Sequence, residues 1–324
     1  MDLLQVCYSY NAPYAMRIIE NLKFAGIRSC RKRIVGVIYF CNHRYMSEPP
    51  ASQFTYSHVV SDDGTVAFQC SSDKDKWPWL ALHPFDPIVV QTINYWASVE
   101  TGAARGTFDP TKWSALTQME WICGKAGVGH ATHGVADAIG EEATPRFGLS
   151  FFDQDDSLVY RMNGTGVVFR NRDFEAWRNK AKTKIAPPPA VHDFEYAPVD
   201  AVGVATPCRS FLSPLVDRDG PSAQALITKE SGFPPAHPYL SGSGDHVNST
   251  HLGDVGRQFA SLLLGGKPLT ITGGKMQFMR YVELGRPFDV KLEHHDPSKN
   301  TVSMAIHQAD RLCATIEMEY AGQR

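Results

Sequence analysis

The sequence predicts an α+β protein in which a strand, a long helix and a run of antiparallel strands follow one another in two stretches of the chain. The clearest support lies in the last third of the chain, where 288–294, 301–307 and 311–320 alternate apolar and polar residues. The apolar sets are Phe288/Val290/Leu292, Val302/Met304/Ile306 and Leu312/Ala314/Ile316/Met318/Tyr320. Period-two patterning of this kind marks antiparallel strands with one buried face. Just before them, 250–264 reads as a helix whose Leu252, Val255, Phe259, Leu262 and Leu263 share one face. The order strand, long helix, strands also occurs earlier, less cleanly, at 65–170. No residue-level repeat links the two stretches; the shared order of elements suggests two related units.

In chain order, Asn11 can cap a first helix that Gly26 stops, with Tyr14, Ile18, Leu22 and Ala25 on one face. An apolar run at 34–40 follows, then a hairpin with arms near 53–60 and 65–70 joined through Asp62-Asp63-Gly64. A second helix is predicted from Pro84 to about Glu100, with Pro87 in its first turn and Gly102 as its stop. Strands are predicted at 116–123, 146–152 and 158–170. The three consecutive prolines Pro187, Pro188 and Pro189 fit neither helix interior nor central strand, and mark an interdomain linker. A strand near 222–229 then leads to the helix at 250–264, which Ser249 or Thr250 can cap and Gly265-Gly266 terminates. A further strand at 270–279 completes the set. The expected organisation is an N-terminal extension at 1–62, a first unit at 63–184, a Pro-rich linker at 185–200 and a second unit at 201–324.

The totals exclude several classes. A chain of 324 residues with 43% hydrophobic residues can bury a large core. A formal net charge of -2 gives no overall pull toward nucleic acid or an anionic membrane, and the cations between Arg28 and Arg33 read as a solvated loop. The seven cysteines are scattered and form no C-x-x-C pair, which argues against a disulfide framework or structural zinc. No secretion signal or apolar run of roughly 18 residues is found, so a cytoplasmic protein is expected and the sequons at Asn163 and Asn248 read as chance matches. His130 and His133 have metal-compatible spacing but no evident third ligand, so no metal and no cofactor are expected. There is no phosphate loop and no G-x-S-x-G elbow.

The run Asp245-His246-Val247-Asn248-Ser249, leading into the last helix, resembles the H-V-N stretch of plant-type acyl-carrier-protein thioesterases and 4-hydroxybenzoyl-CoA-type thioesterases. Arg280-Tyr281-Val282-Glu283-Leu284-Gly285 is similar to their third strand leading into a turn, and Val168 through Phe174 to a strand end in the first unit. The resemblance implies a double hotdog fold and action on an acyl thioester. It departs from the family pattern at Gly244, Ser249 and Leu252, where those thioesterases carry asparagine, asparagine and an aromatic residue. A second resemblance is to double-hotdog dehydratases. His83 precedes the first central helix, and Asp254 with Gln258 matches the D-x-x-x-Q of the second, although Pro87 stands where the dehydratase motif has glycine.

The chemistry of these positions suits thioesters. A helix N-terminus offers free N–H groups and the positive end of a dipole to a developing oxyanion. Gly242 and Gly244 would let the backbone approach the substrate; Asp245 or His246 would orient or deprotonate water; Asn248 would hold the carbonyl or the water. In the dehydratase alternative, His83 removes a proton and Asp254 protonates the leaving hydroxyl. Arg257 and Gln258 are expected near the substrate. Gly253 and Gly256, one turn apart inside the helix, point to close packing or a ligand. Equally, Asp245-His246 could serve only to start the helix, and Asp254 with Arg257 could be a local i, i+3 pair. The expected partner is an acyl thioester or a polyketide-like small molecule, carried by CoA or an acyl carrier protein, in a chain that could form a homodimer. A cyclase of polyketide-type biosynthesis and a non-catalytic acyl-binding protein are the remaining alternatives.

Overall fold

Twelve strands form one antiparallel sheet in the computed structural model, which describes residues 53–109, 112–138, 146–169, 174–183, 194–204, 209–231 and 245–322. The predicted N-terminal helix, the apolar run at 34–40, the basic run, the proline run and Gly242 and Gly244 lie outside the described residues. The strands and helices below belong to one compact unit, Pro49–Val60 with Gly64–Arg324.

In chain order the elements are β1 (Thr55–Val60), β2 (Val66–Cys70), α1 (Pro87–Arg105), β3 (Trp113–Cys123), β4 (His133–Ala138), β5 (Arg146–Phe152) and β6 (Leu158–Phe169). There follow α2 (Phe174–Lys182), β7 (Val216–Asp217), β8 (Pro221–Ala225), β9 (His246–Val247), α3 (Ser249–Leu263) and β10 (Ile271–Phe278). The chain ends with β11 (Val282–Glu283), β12 (Phe288–Asp296), β13 (Thr301–Gln308) and β14 (Arg311–Tyr320). The sheet order is β1-β2-β4-β5-β6-β3-β10-β14-β13-β12-β8-β7, and β9 pairs separately with β11. One pattern therefore occurs twice. The strand before each helix (β2, β8) and the strand after it (β3, β10) bracket the three-strand meander that follows, and the two halves meet edge to edge where β10 pairs with β3.

The alternating residues do what their period requires. Phe288, Val290, Val302, Met304, Ile306, Ala314, Ile316 and Met318 are buried, and α3 lays Leu252, Val255 and Phe259 into the same core. Gly256 permits this approach: a Cβ there would stand 2.7 Å from Met318 Cε and 3.2 Å from Ile316 Cγ2. Gly253 faces the other helix, where its Cβ would meet Gln91 Cγ at 3.2 Å and Pro87 Cβ at 3.3 Å. Thus α1 and α3 pack directly on one another.

Helix α1 differs from the sequence expectation at both ends. Asp86 is its N-cap, accepting from the Ile88 N–H at 2.9 Å, so Pro87 takes the first helical position, where no donor is lost. The helix runs through Gly102 to Gly106, whose left-handed φ of 75° ends it. Four elements were not anticipated, two of them the two-residue strands β7 and β9. Strand β4 pairs with both β2 and β5, and α2 begins at Phe174, where the sequence resemblance implied a strand end. No helix among the described residues is long and apolar enough to cross a membrane.

Candidate functional site

The start of α3 is built by a two-stranded ribbon and a helix from the other half of the chain. β9 and β11 pair antiparallel, with Glu283 opposite His246. This register brings the carboxylates of Asp245 and Glu283 to one guanidinium. Arg178 of α2 donates from Nη1 to Glu283 Oε1 at 2.6 Å and from Nη2 to Oε2 at 3.0 Å, and the same Nη2 reaches Asp245 Oδ2 at 3.1 Å. Such a two-point fork is the strong geometry for an arginine–carboxylate pair. Lys182, one turn further along α2, donates to Asp245 Oδ2 at 2.8 Å. Arg178 also lies over the Tyr281 ring, 4.2 Å from its centroid. Gln308 steadies the ribbon, accepting from the Glu283 N–H at 2.8 Å and donating to its carbonyl at 3.2 Å. The peptide expected as a full third strand is thus the short β11, closed by Gly285 at a φ of 70°.

Asp245 and His246 face each other through a 2.6 Å contact between Oδ1 and Nδ1. Burial alone would raise the Asp245 pKa. The hydrogen bonds from His246 and Lys182 and the charge of Arg178 reverse this and hold the carboxyl well below the usual carboxylate range. An ionised carboxylate can only accept, so Nδ1 is the donor, and in the neutral imidazole the lone pair sits on Nε2. No described residue hydrogen-bonds that Nε2, and the His246 ring instead meets Tyr281 edge-on at 4.6 Å. The His246 side chain keeps 22% exposure, enough for a water or ligand to reach it. Burial pushes the Tyr281 phenol up to about 12, with Arg178 opposing and the two carboxylates adding to the rise, so the ring remains neutral.

Asn248, expected to hold a carbonyl or water, is the N-cap of α3. Its Oδ1 accepts from the N–H groups of Thr250 and His251 at 3.1 and 3.2 Å, and His251 Nδ1 accepts from the Asn248 N–H at 3.4 Å. This reciprocal pair is a capping box. It leaves Ser249 as the first-turn N–H that the cap does not take.

The dehydratase-type residues are spread over two places. His83 is exposed, and its Nδ1 accepts from the Phe85 N–H at 3.1 Å. Asp254 is fully buried in α3 and fully engaged. Its Oδ1 accepts from Arg257 Nε at 3.0 Å and from Arg257 Nη2, and its Oδ2 accepts from Gln258 Nε2 at 2.9 Å. Arg257 also donates to the Gly203 carbonyl at 3.0 Å, and Gln258 Oε1 accepts from the Phe211 N–H at 2.9 Å. The i, i+3 pairing expected for Asp254 and Arg257 is therefore present. At the start of α1, the group electrostatically linked to Asp254 is Asp86. Loss of water contact lifts its carboxyl to about 6, with Asp254 adding to the rise and Arg257 and the Ile88 N–H opposing it. Among the described residues no set of three His, Cys, Asp or Glu side chains is placed to hold a metal.

Sequence reasoning missed Arg178, Lys182, Tyr281, Glu283 and Asp86 as members of these clusters. The one readable signal was the i, i+4 spacing of Arg178 and Lys182, which sets both cations on one side of a helix.

No protein-family model matches the sequence, and no curated protein matches it. Solved structures do resemble it in fold, among them two acyl-ACP thioesterases and a dehydratase. An acyl-ACP thioesterase from Bacteroides thetaiotaomicron superposes with a TM-score of 0.47 at 10% identity, covering 80% of this chain and 97% of that one. The 12:0-ACP thioesterase from Umbellularia californica gives 0.43 at 7% identity, covering 86% and 100%. An inactive mutant of the CurK dehydratase gives 0.48 at 10% identity, covering 85% and 99%.

Proposed function

We propose that this protein is a double-hotdog enzyme of the cytoplasm that hydrolyses an acyl chain carried as a CoA or carrier-protein thioester, with His246 as the general base. The double-hotdog reading is supported by the strand order repeated around α1 and α3. The observation that carries the chemistry is the 2.6 Å contact of Asp245 with His246 Nδ1, which leaves Nε2 with a lone pair and no partner among the described residues.

A water on Nε2 gives up its proton to the imidazole as its oxygen attacks the thioester carbonyl carbon. The Asp245 carboxylate stabilises the imidazolium that forms, and Arg178 and Lys182 keep that carboxylate ionised. The carbonyl oxygen becomes an oxyanion, for which the Ser249 N–H at the positive end of α3 is the available backbone donor. One such donor is worth roughly 3–4 kcal/mol in a transition state. Collapse breaks the carbon–sulfur bond, and the thiolate leaves with the proton from Nε2. The products are a free acid and a thiol. In this scheme Asn248 acts through the helix it caps.

The test is mass spectrometry of the full chain with a panel of acyl-CoA and acyl-pantetheine thioesters, 3-hydroxyacyl chains included. Hydrolysis predicts free acid and thiol in equal amounts, and His246→Ala is expected to slow their release by about 10²–10⁴-fold. Loss of one water with the thioester intact would move the protein to the dehydratases. A panel returned unchanged would sink the thioesterase reading. Equal rates for wild type and His246→Ala would sink the site assignment.

A further inference from the structure

We infer that the seam between α1 and α3 is a binding site for an uncharged group on the acyl chain that both donates and accepts, a hydroxyl, with Gln91 as its main contact. This rests on the acyl-thioester reading above and adds a substrate class to it. Gln91 is 0% exposed, and neither its Oε1 nor its Nε2 has a hydrogen-bond partner. The same holds for Thr92 Oγ1 and Asn94 Oδ1, so four buried polar atoms within one turn of α1 are unpaired. Groups of this kind rarely stay unpaired in a folded protein, because burying them without a partner costs more than replacing them by carbon. Gln91 and Asn94 are three residues apart and share a face of the helix. That face is turned to α3 where α3 has least bulk: Gly253 lies against Gln91 and Pro87.

The chemistry of the seam narrows the ligand. A primary amide both donates and accepts, as a hydroxyl does, and suits a group with both functions. An anion is disfavoured, because the neighbouring cation Arg257 is already committed to Asp254 and the Gly203 carbonyl. A bare hydrocarbon chain would leave all four atoms unmet. A hydroxyl on the acyl chain can donate to Gln91 Oε1 or accept from Gln91 Nε2, with the remainder of the chain against the apolar residues of both helices.

The experiment pairs binding with stability in Gln91→Met, which keeps an unbranched side chain of similar length, and in the isosteric Thr92→Val. Calorimetry would use non-hydrolysable thioether analogues of acyl-pantetheine. The hydroxyl is walked along the chain and compared with the unsubstituted chain of equal length. Gln91→Met is expected to weaken the best hydroxylated analogue by about tenfold and to leave the unsubstituted one unchanged. Without ligand, the variant is expected to melt at or above the wild-type temperature, since an unmet amide has been removed. A lower melting temperature in both variants would overturn the inference, because the amide and hydroxyl would then be satisfied within the protein. Equal weakening of both analogues would also overturn it, placing the hydrogen bond on the pantetheine arm. A wild type that binds neither analogue would fell the thioester reading itself, and this site with it.

Discussion

Two aspartates stand at the N-terminal ends of two topologically equivalent helices, and the protein treats their protons in opposite ways. Asp86 caps α1 directly, in surroundings that lift its carboxyl to about 6. Asp245 precedes the α3 cap, and its cationic neighbours hold it well below the ordinary range. The nearby histidines differ in step. His83 is exposed and its Nδ1 accepts from a backbone N–H, whereas His246 gives Nδ1 to a carboxylate and keeps Nε2 available. A repeated strand order therefore carries an aspartate–histidine pair at the start of α3 and unpaired buried polar atoms in the first turns of α1. What separates them is α2, which supplies cations to the start of α3.

The largest expected effect sharpens this contrast. On any thioester the protein turns over, His246→Ala should lower kcat by about 10²–10⁴-fold with little change in KM, while His83→Ala should leave both near wild type. Steady-state kinetics on the two variants decides it. Equal losses would mean that both helix ends feed one reaction; the dehydratase alternative itself requires His83 together with Asp254.

Next in size is the link between α2 and the ribbon. Arg178 and Glu283 are both nearly fully buried, with side-chain exposures of 5% and 6%. Removing one partner leaves the other as an uncompensated charge. Arg178→Met is accordingly expected to cost about 3–5 kcal/mol in urea unfolding, and the double variant Arg178→Met/Glu283→Gln to recover much of it. An Arg178→Met protein as stable as wild type would show that α2 does not anchor the start of α3.

The pH dependence of stability tests the other aspartate. A carboxyl whose folded pKa is raised binds its proton more tightly in the folded state, so its contribution to stability falls as pH rises from about 4 through about 6. Asp86→Asn keeps a capping oxygen and abolishes that titration. The two melting curves should coincide below about pH 3, and the variant should be the more stable by about 3 kcal/mol near pH 7. Asp245 has the opposite sign: its stabilisation is present above the ordinary carboxylate range and is lost as pH falls below it. Parallel wild-type and Asp86→Asn curves would remove the contrast between the two helix ends.

The sequence made some of this legible for physical reasons. Strand β14 matches its predicted limits, 311–320, because an unbroken period-two alternation can pack only one way on a core. Strand β4 was invisible. His-Gly-Val-Ala-Asp-Ala carries little side-chain bulk, and its Gly134 is there because a Cβ would stand 2.6 Å from the Phe68 ring, a contact set by the fold. The Asp245–His246 pair could be picked out because it is local. Its partner Arg178 lies 67 residues away and Glu283 lies on a two-residue strand, and no local period encodes either. Asp254 was legible as a member of a D-x-x-x-Q pattern, but not as a carboxylate with both oxygens already engaged.

The smallest expected effect bears on Asn248, whose place in the H-V-N stretch suggested contact with the substrate. Its Oδ1 already serves two backbone donors. Asn248→Ala should therefore cost about 1 kcal/mol of stability, the usual value of an N-cap, and Asn248→Ser should restore nearly all of it because serine caps almost as well. Activity should follow the same pattern, since tilting or fraying the first turn of α3 would move the Ser249 N–H and nothing else in the proposed mechanism. The measurement is a comparison of urea midpoints and kcat for both variants. If Asn248→Ser keeps full stability yet loses kcat by a hundredfold or more, asparagine is touching the substrate. The start of α3 would then hold a chemical group that the start of α1, with Asp86 in the capping position, could not have supplied.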